Sequence, residues 1–437
     1  MQVYITYDCR LLLRISNTRL AGWLASLFSQ NERCQAKCNG WANVIPRAQK
    51  ALGSGRGLGH RLDAARQQSE AVRPQNSASE GSLDQTIAEV RAAAESVRLN
   101  WPAVRTYLAR HGLTLDPEPL PSQFKGGLAN INYLIHLSGK PFVLRRPPPG
   151  ELPPGSHDMA REHRILSRLP DALPFAPRSI HLCADLSVIG VPFQIIAFHP
   201  GIVVRSTLPP ELAGRPEAGA RLSQVLMETI AAIHAVDTEA IGLNDLGKPE
   251  GFLQRAVAGW RKRGLLVQEE GSETLHRELG EWLEKRRVPD GTPSLLHNDF
   301  KLDNMILSPR DLSPVAVVDW DQGTRGDPLF DFATTLSYWA EPDDPPAMHE
   351  MAQMPTANPG FLTRREAVES YAALSGRDMS DFLFHRVLGM YKLGVIFLQL
   401  GYRHRTGATA DPRYAGLSTI GTGLLDFTLD IAHGRAF

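Results

Sequence analysis

The sequence predicts an α+β fold in two lobes, a small β-rich lobe followed by a larger, mainly helical one. Three observations carry that expectation. Short runs rich in β-branched and aromatic residues cluster between residues 132 and 198. After Pro200 the apolar residues recur at helical spacing instead. The 437 residues also exceed one ordinary domain, which fits two lobes preceded by an extension.

Residues 1 to 95 differ in texture from the remainder of the chain. Through Glu80 they carry eleven Lys and Arg against five acids, and residues 52–82 are rich in Gly, Ser, Gln and Arg. Such a composition is expected of a low-complexity, disordered extension. Leu20, Trp23, Leu24, Leu27 and Phe28 alone sit at helical spacing. The segment reads as a marginal helix on a tail, a start site placed too early, or an Arg-rich targeting peptide. Arg10, Arg14 and Arg19 interrupt its apolar region, against a secretory signal.

The small lobe is expected over residues 96–198. In "NWPAVRTYLARHG", Trp101, Val104, Tyr107 and Leu108 form one helix face, and Gly112 supplies a stop signal. "NYLIHLS" and "PFVLRR" read as two strands with "GK" at the turn. "HDMAREHRILSRL" reads as a helix with Met159, Ile165, Leu166 and Leu169 inward, and "RSIHLCA" and "VPFQIIAF" as further strands. The helical lobe is expected over residues 199–437. Its clearest stripe is Leu222, Leu226, Ile230 and Ile233.

Composition narrows the function. Hydrophobic residues make up 43% and charged residues 22%, as in soluble globular chains. Forty-seven cations balance 47 acids, so there is no global field to attract nucleic acid or an anionic membrane, and no protein partner is evident. No uninterrupted apolar run reaches 18 residues, which argues against a transmembrane helix. Cys34 and Cys38 have no second Cys or His pair nearby to complete a zinc site, and only Cys183 follows them. A reducing, cytoplasmic setting is expected.

The chemistry concentrates in "LLHNDFKLDNMIL", residues 295–307, where two apolar runs enclose a dense polar loop. Asp299 and Asn304 are five positions apart, with His297 two before the Asp, the spacing of a kinase catalytic loop. Phosphoryl transfer needs these residue types. A carboxylate orients the attacking hydroxyl and accepts its proton, and an amide oxygen holds Mg²⁺ without adding a full negative charge beside the phosphates. Lys301 either neutralises the transferred phosphoryl group or is an exposed loop lysine. Asp303 reads as a turn residue, and His297 as a brace for the loop. Downstream, the β-branched run Val315–Val318 ends at Asp319, placed to bridge Mg²⁺ to the phosphates, with Asp321 a second candidate. Asp331 either caps the helix "DFATTLSYW" or ties it under the catalytic loop.

"HNDFKLDN" followed by "VVDWDQGTRGDPLFDFA" resembles the aminoglycoside phosphotransferase and choline kinase superfamily, which shares the protein-kinase-like fold. The resemblance spans about residues 100 to 430, through "QFKGGLANINYLI", "FVLRRPPPG", "HDMAREHRIL" and "VIGVPFQII". It is closest to the group resembling the kinase-like domain of some acyl-CoA dehydrogenases. It implies a small-molecule kinase using ATP and Mg²⁺. It further implies that Gly126, Gly127 and Asn130 form the nucleotide loop, with Ala129 where the family usually has Ser. Arg145 takes the place of the strand lysine that pairs with the α- and β-phosphates, and Glu162 is its acidic partner. Residues 194–198, with Ile196 and Phe198, become the hinge that holds adenine.

The acceptor is less legible. Glu341, Asp343, Asp344 and Glu350 share the helical lobe with Arg403, His404 and Arg405, mixed signs that argue against a strongly cationic substrate. The acyl-CoA dehydrogenase association points to a hydroxylated acyl compound. The alternatives are an aminoglycoside- or choline-type kinase and a pseudokinase-like module that binds nucleotide without transfer. A metal-dependent hydrolase would need a second His-rich cluster that is missing.

Overall fold

The computed structural model describes residues 90–92, 95–125, 130–148, 157–269, 271–409 and 411–437. All of them fall within one unit, Ser82–Phe437. Most of the expected extension, and the loop glycines Gly126 and Gly127, lie outside the described residues.

The small lobe is a five-stranded antiparallel sheet in the order β1-β2-β3-β5-β4. Its strands are β1 (Ser122–Gln123), β2 (Ile131–Leu137), β3 (Lys140–Arg146), β4 (Ser179–Cys183) and β5 (Phe193–Ala197). The expected turn between β2 and β3 holds Ser138 at φ 50 and Gly139 at φ 78, left-handed values that glycine takes without steric cost. Helix α1 (Trp101–Arg110) starts at Asn100, whose side chain accepts from the Ala103 amide. It buries Val104 and Leu108 against Tyr133, Ile135, Leu144 and Phe193. Alternation along β3 then turns Arg145 to the other face of the sheet.

Helix α2 (Met159–Leu166) begins at the cap Asp158 and buries Met159, Glu162, Ile165 and Leu166. Leu169, expected on the same helix, falls in a following 3₁₀ turn but is also buried. Hydrogen bonding to the sheet begins ahead of the expected boundary at residue 95. The Arg91 amide donates to the Gln123 carbonyl at 2.7 Å.

Two one-turn helices, α3 (Leu186–Ile189) and α4 (Pro210–Ala213), precede the large lobe's α5 (Ala218–His234), α6 (Phe252–Leu265) and α7 (Glu273–Lys285). All four residues of the predicted stripe on α5 are fully buried. Short antiparallel pairs come next: β7 (Ser294–Leu296) with β10 (Thr324–Gly326), and β8 (Met305–Leu307) with both β6 (Ile202–Val203) and β9 (Pro314–Val317). Helices α8 (Pro328–Ser337), α9 (Pro346–Met351), α10 (Arg364–Ser375), α11 (Phe382–Arg405) and α12 (Leu417–Ala432) complete the lobe.

Helix α11 is long and apolar enough to cross a membrane, but 78% of its most apolar window is buried inside the protein. It is the core helix against which α8 and α12 pack. A Cβ at its Gly389 would meet the Ala333 carbonyl carbon at 2.9 Å, so glycine there lets α8 approach closely.

Candidate active site

The polar loop lies between β7 and β8, as its flanking apolar runs predict. The Asp299 carboxylate gathers three donors. The Tyr338 hydroxyl donates at 2.6 Å, Lys301 Nζ at 3.1 Å and Asn304 Nδ2 at 3.2 Å. Burial would raise this carboxyl, but Lys301, the Tyr338 hydroxyl and His297 hold it below its ordinary range. Asp299 is therefore a half-buried anion, its side chain 21% exposed. Lys301 is largely covered too, its side chain 12% exposed, and is not an exposed loop lysine. Burial opposes its charge, yet Asp299, Tyr338 and Asp303 raise the ammonium above its usual value. Asp303 sits in the 3₁₀ turn Leu302–Asn304, as expected of a turn residue, and burial pushes its carboxyl up to about 6.

The loop is anchored from beneath. Asp331 accepts from the backbone amides of His297 at 2.7 Å and Asn298 at 2.8 Å, and its Oδ2 lies 3.1 Å from His234 Nε2. Of the two roles open to Asp331, the structure shows the tie. The cap of α8 is Asp327, whose side chain accepts from Leu329 and Phe330. His297 braces the loop as expected, its Nε2 donating to the Val318 carbonyl at 2.9 Å. Asn298 adopts φ 65 and Asp319 φ 68, left-handed backbone that costs an ordinary side chain energy unless its surroundings enforce it.

Across the cleft, Arg145 donates to Glu162 at 2.8 Å and pairs with Asp319. Burial alone would depress this guanidinium, but Asp319, Glu162 and Asp321 raise it above its ordinary value. Glu162 is wholly buried, not an exposed helix glutamate. It also accepts from Gln194 at 2.6 Å and from the Trp320 amide at 3.1 Å.

Asn130 keeps both ends of its amide on protein. Its Nδ2 donates to Asp321 at 3.0 Å and its Oδ1 lies 2.9 Å from His157 Nδ1. Burial, with Asp319 and Glu162 nearby, pushes the Asp321 carboxyl up to about 7, and its side chain is 6% exposed against 26% for Asp319. The expected hinge needs correcting at Ile196. That residue pairs with Val143 on one side and Ser179 on the other, so its backbone is inside the sheet. The chain leaves the sheet at Phe198, whose ring stacks on Phe124 with centroids 6.2 Å apart.

A magnesium ion fits this donor set. Among the described residues, no three His, Cys, Asp or Glu side chains form a metal cage. The nitrogen of the Asn304 amide is committed to Asp299, which leaves its oxygen to face a cation. Asn304 and Asp319 would thus supply two oxygens to hold it.

A family model for phosphotransferase enzymes matches residues 121–366, more than half of the chain. The chain belongs to the phosphotransferase enzyme family. Its curated relatives include acyl-CoA dehydrogenase family member 10 of Mus musculus, 27% identical over 72% of this chain. Family member 11 of Pongo abelii is 28% identical over 67%. The chain spans only 29% and 38% of those two relatives. Among solved structures, a candidate aminoglycoside phosphotransferase from Ralstonia eutropha is 25% identical, with a TM-score of 0.62, covering 77% of this chain and 99% of that one. A macrolide 2'-phosphotransferase type I, 17% identical with a TM-score of 0.50 and coverages of 76% and 98%, shares the fold. This phosphotransferase therefore has the kinase-like architecture its sequence predicted. Its motifs did not point to Tyr338, His234 or Lys392, and they gave Gln194 only as part of the hinge, not as a donor to Glu162. Lys392 alone carried a signal, a single cation within the apolar "YKLGVIFLQL".

Proposed function

We propose that this phosphotransferase moves the γ-phosphoryl group of Mg·ATP to a hydroxyl of a small molecule, with a hydroxylated acyl compound as the favoured class. The observation that carries the proposal is the half-buried Asp299 anion, held by Tyr338, Lys301 and Asn304 and set on the loop that Asp331 anchors. A carboxylate so fixed orients the acceptor hydroxyl and takes its proton as the oxygen–phosphorus bond forms and the bond to ADP breaks. Lys301 offsets charge on the transferred group. Arg145, oriented by Glu162, contacts the α- and β-phosphates. Magnesium, when bound, neutralises the β- and γ-phosphate oxygens, and Asn304 and Asp319 would hold it.

The test is Mg²⁺-dependent ATP consumption across a library of hydroxyl compounds, with Asp299→Asn as the blank. Removing a positioned base lowers the rate about 10² to 10⁴-fold. Mg·ATP should also raise the melting temperature of both proteins, because it binds the folded state. No thermal shift at millimolar Mg·ATP in folded protein overturns the kinase proposal.

A further inference from the structure

Beside the catalytic loop, under helix α6, lies a cavity of about 330 Å³. Four cations line it, Lys248, Arg255, Arg325 and Lys392, and no carboxylate does. Phe252, Trp260 and Phe330 supply flat apolar wall. Asn298, Gln322 and Thr324 are shared with a second cavity of about 600 Å³, so the two form one groove that passes the residue preceding Asp299.

The cations differ in how far they are neutralised. In the second cavity, Arg161 and Arg164 face Asp158 and Asp245, which cancel much of their charge. Arg255 donates instead to the Glu250 and Lys248 carbonyls, and Arg325 to the Asn244 carbonyl. A carbonyl satisfies a donor without cancelling its charge. Lys392 is the extreme case. It is 3% exposed, comes from the middle of the core helix, and bonds only neutral oxygens, the Asn298 carbonyl at 2.7 Å and Thr334 Oγ1 at 3.5 Å. Its Nζ lies 5.3 Å from the centre of the Phe330 ring. Burying an ammonium without a directly paired carboxylate is costly. Methionine would pack an apolar core helix better. Burial pushes this ammonium down to about 8, so it remains mostly charged at neutral pH.

Resting on the kinase proposal, we infer that the acceptor is anionic, that the groove beside Asn298 receives its charged part, and that Lys392 is the specificity-determining residue that meets it. A free hydroxycarboxylate and a hydroxyacyl thioester of coenzyme A both present anionic groups and flat or apolar parts. Polycationic or quaternary-ammonium acceptors would be repelled. The propping of the Asn298 carbonyl is a second role of the same ammonium.

The experiment uses the full chain with Mg·ADP bound. Binding of 3-hydroxybutyrate, 3-hydroxybutyryl-CoA, kanamycin and choline is followed by calorimetry at two salt concentrations. At least one anionic compound should bind, more weakly at high salt, while kanamycin and choline do not. Lys392→Met should weaken that binding about tenfold or more, the loss expected of a hydrogen bond to a charged group. Arg255→Gln, at the solvent edge where folding is not at risk, should weaken it less. Lys392→Arg should retain most of it. Stronger binding of the free acid assigns the charge to the acyl part, and stronger binding of the thioester to the nucleotide part. The inference is overturned if neither anion binds, if a cation binds in preference, if folded Lys392→Met leaves anion affinity unchanged, or, should that variant not fold, if Arg255→Gln leaves it unchanged. Mg·ATP stabilisation without anion binding sinks this inference alone, and absence of Mg·ATP stabilisation sinks the kinase proposal beneath it.

Discussion

Replacing Asp331 should loosen both the fold and the catalytic loop. Its carboxylate is fully buried and takes donors from His297 N, Asn298 N and His234 Nε2 at 2.7 to 3.1 Å. Alanine would leave these donors where water does not reach, and each orphan costs about 1–3 kcal/mol. Recovered desolvation of the carboxylate offsets part of the sum, so the expected loss is about 4 kcal/mol, in the range for breaking a buried pair. That is a large share of the roughly 5–15 kcal/mol that stabilises a domain. Asparagine keeps the volume but sets an amide nitrogen against one backbone N–H, and about 2 kcal/mol is expected.

Urea unfolding followed by circular dichroism reads both values as a lower midpoint at unchanged slope. The pH dependence has a defined sign. Burial opposes the Asp331 anion, but the bonds from His234 and His297 hold its pKa below the ordinary value. A depressed folded pKa gives stability that is present above the unfolded value and is lost as pH falls through the folded one. The gap between wild type and Asp331→Asn should thus be constant from about pH 6 to 8 and close below about pH 4. An unchanged midpoint for Asp331→Ala at pH 7, or a gap that persists undiminished in acid, would refute the anchoring role.

Three further outcomes are expected at the site. Glu162→Gln removes the charge that orients Arg145 and should lower ATP affinity about tenfold, read by calorimetry; equal affinity would show that Arg145 needs no partner. Tyr338→Phe removes the 2.6 Å donor to Asp299, so the Asp299 carboxyl rises and the acid limb of the turnover profile moves to higher pH. An unmoved limb would mean that Tyr338 does not tune the base. Asp319→Asn should raise the Mg²⁺ concentration needed for half-maximal turnover while metal-free ADP binding persists; unchanged Mg²⁺ dependence would remove Asp319 from the metal site.

Legibility in the sequence depended on the range of each interaction. Asp299 and Asn304 share the loop between β7 and β8, and Asp319 follows the next strand, so phosphoryl transfer imposes on the three a spacing that a short stretch of sequence displays. Arg145 and Glu162 came from ordered motifs, and their contact confirms that order. Tyr338 and Lys392 reach the loop from positions 39 and 94 residues away in sequence, to Asp299 and Asn298 respectively, and no short pattern encodes such pairs. The cap at Asp327 was missed although a local signal existed, an Asp directly before the Pro that starts α8. Ile196 was misplaced because β-propensity alone does not show where a strand stops pairing and a hinge begins.

Residues 318 to 322 divide their partners in a fixed order. The Val318 carbonyl takes His297 and the Gln322 carbonyl takes Asn298 Nδ2 at 2.9 Å, both from the catalytic loop. Between them, Asp319 meets Arg145, the Trp320 amide meets Glu162, and Asp321 meets Asn130 and Arg161, all from the small lobe. Four of these bonds use backbone atoms of the segment, which a change of side chain leaves in place. Adding or removing one residue would instead offer every partner the wrong group at once. This run can therefore drift in composition but not in length, and single-residue insertions across 318–322 should abolish function even where substitutions at Val318 or Gln322 are tolerated.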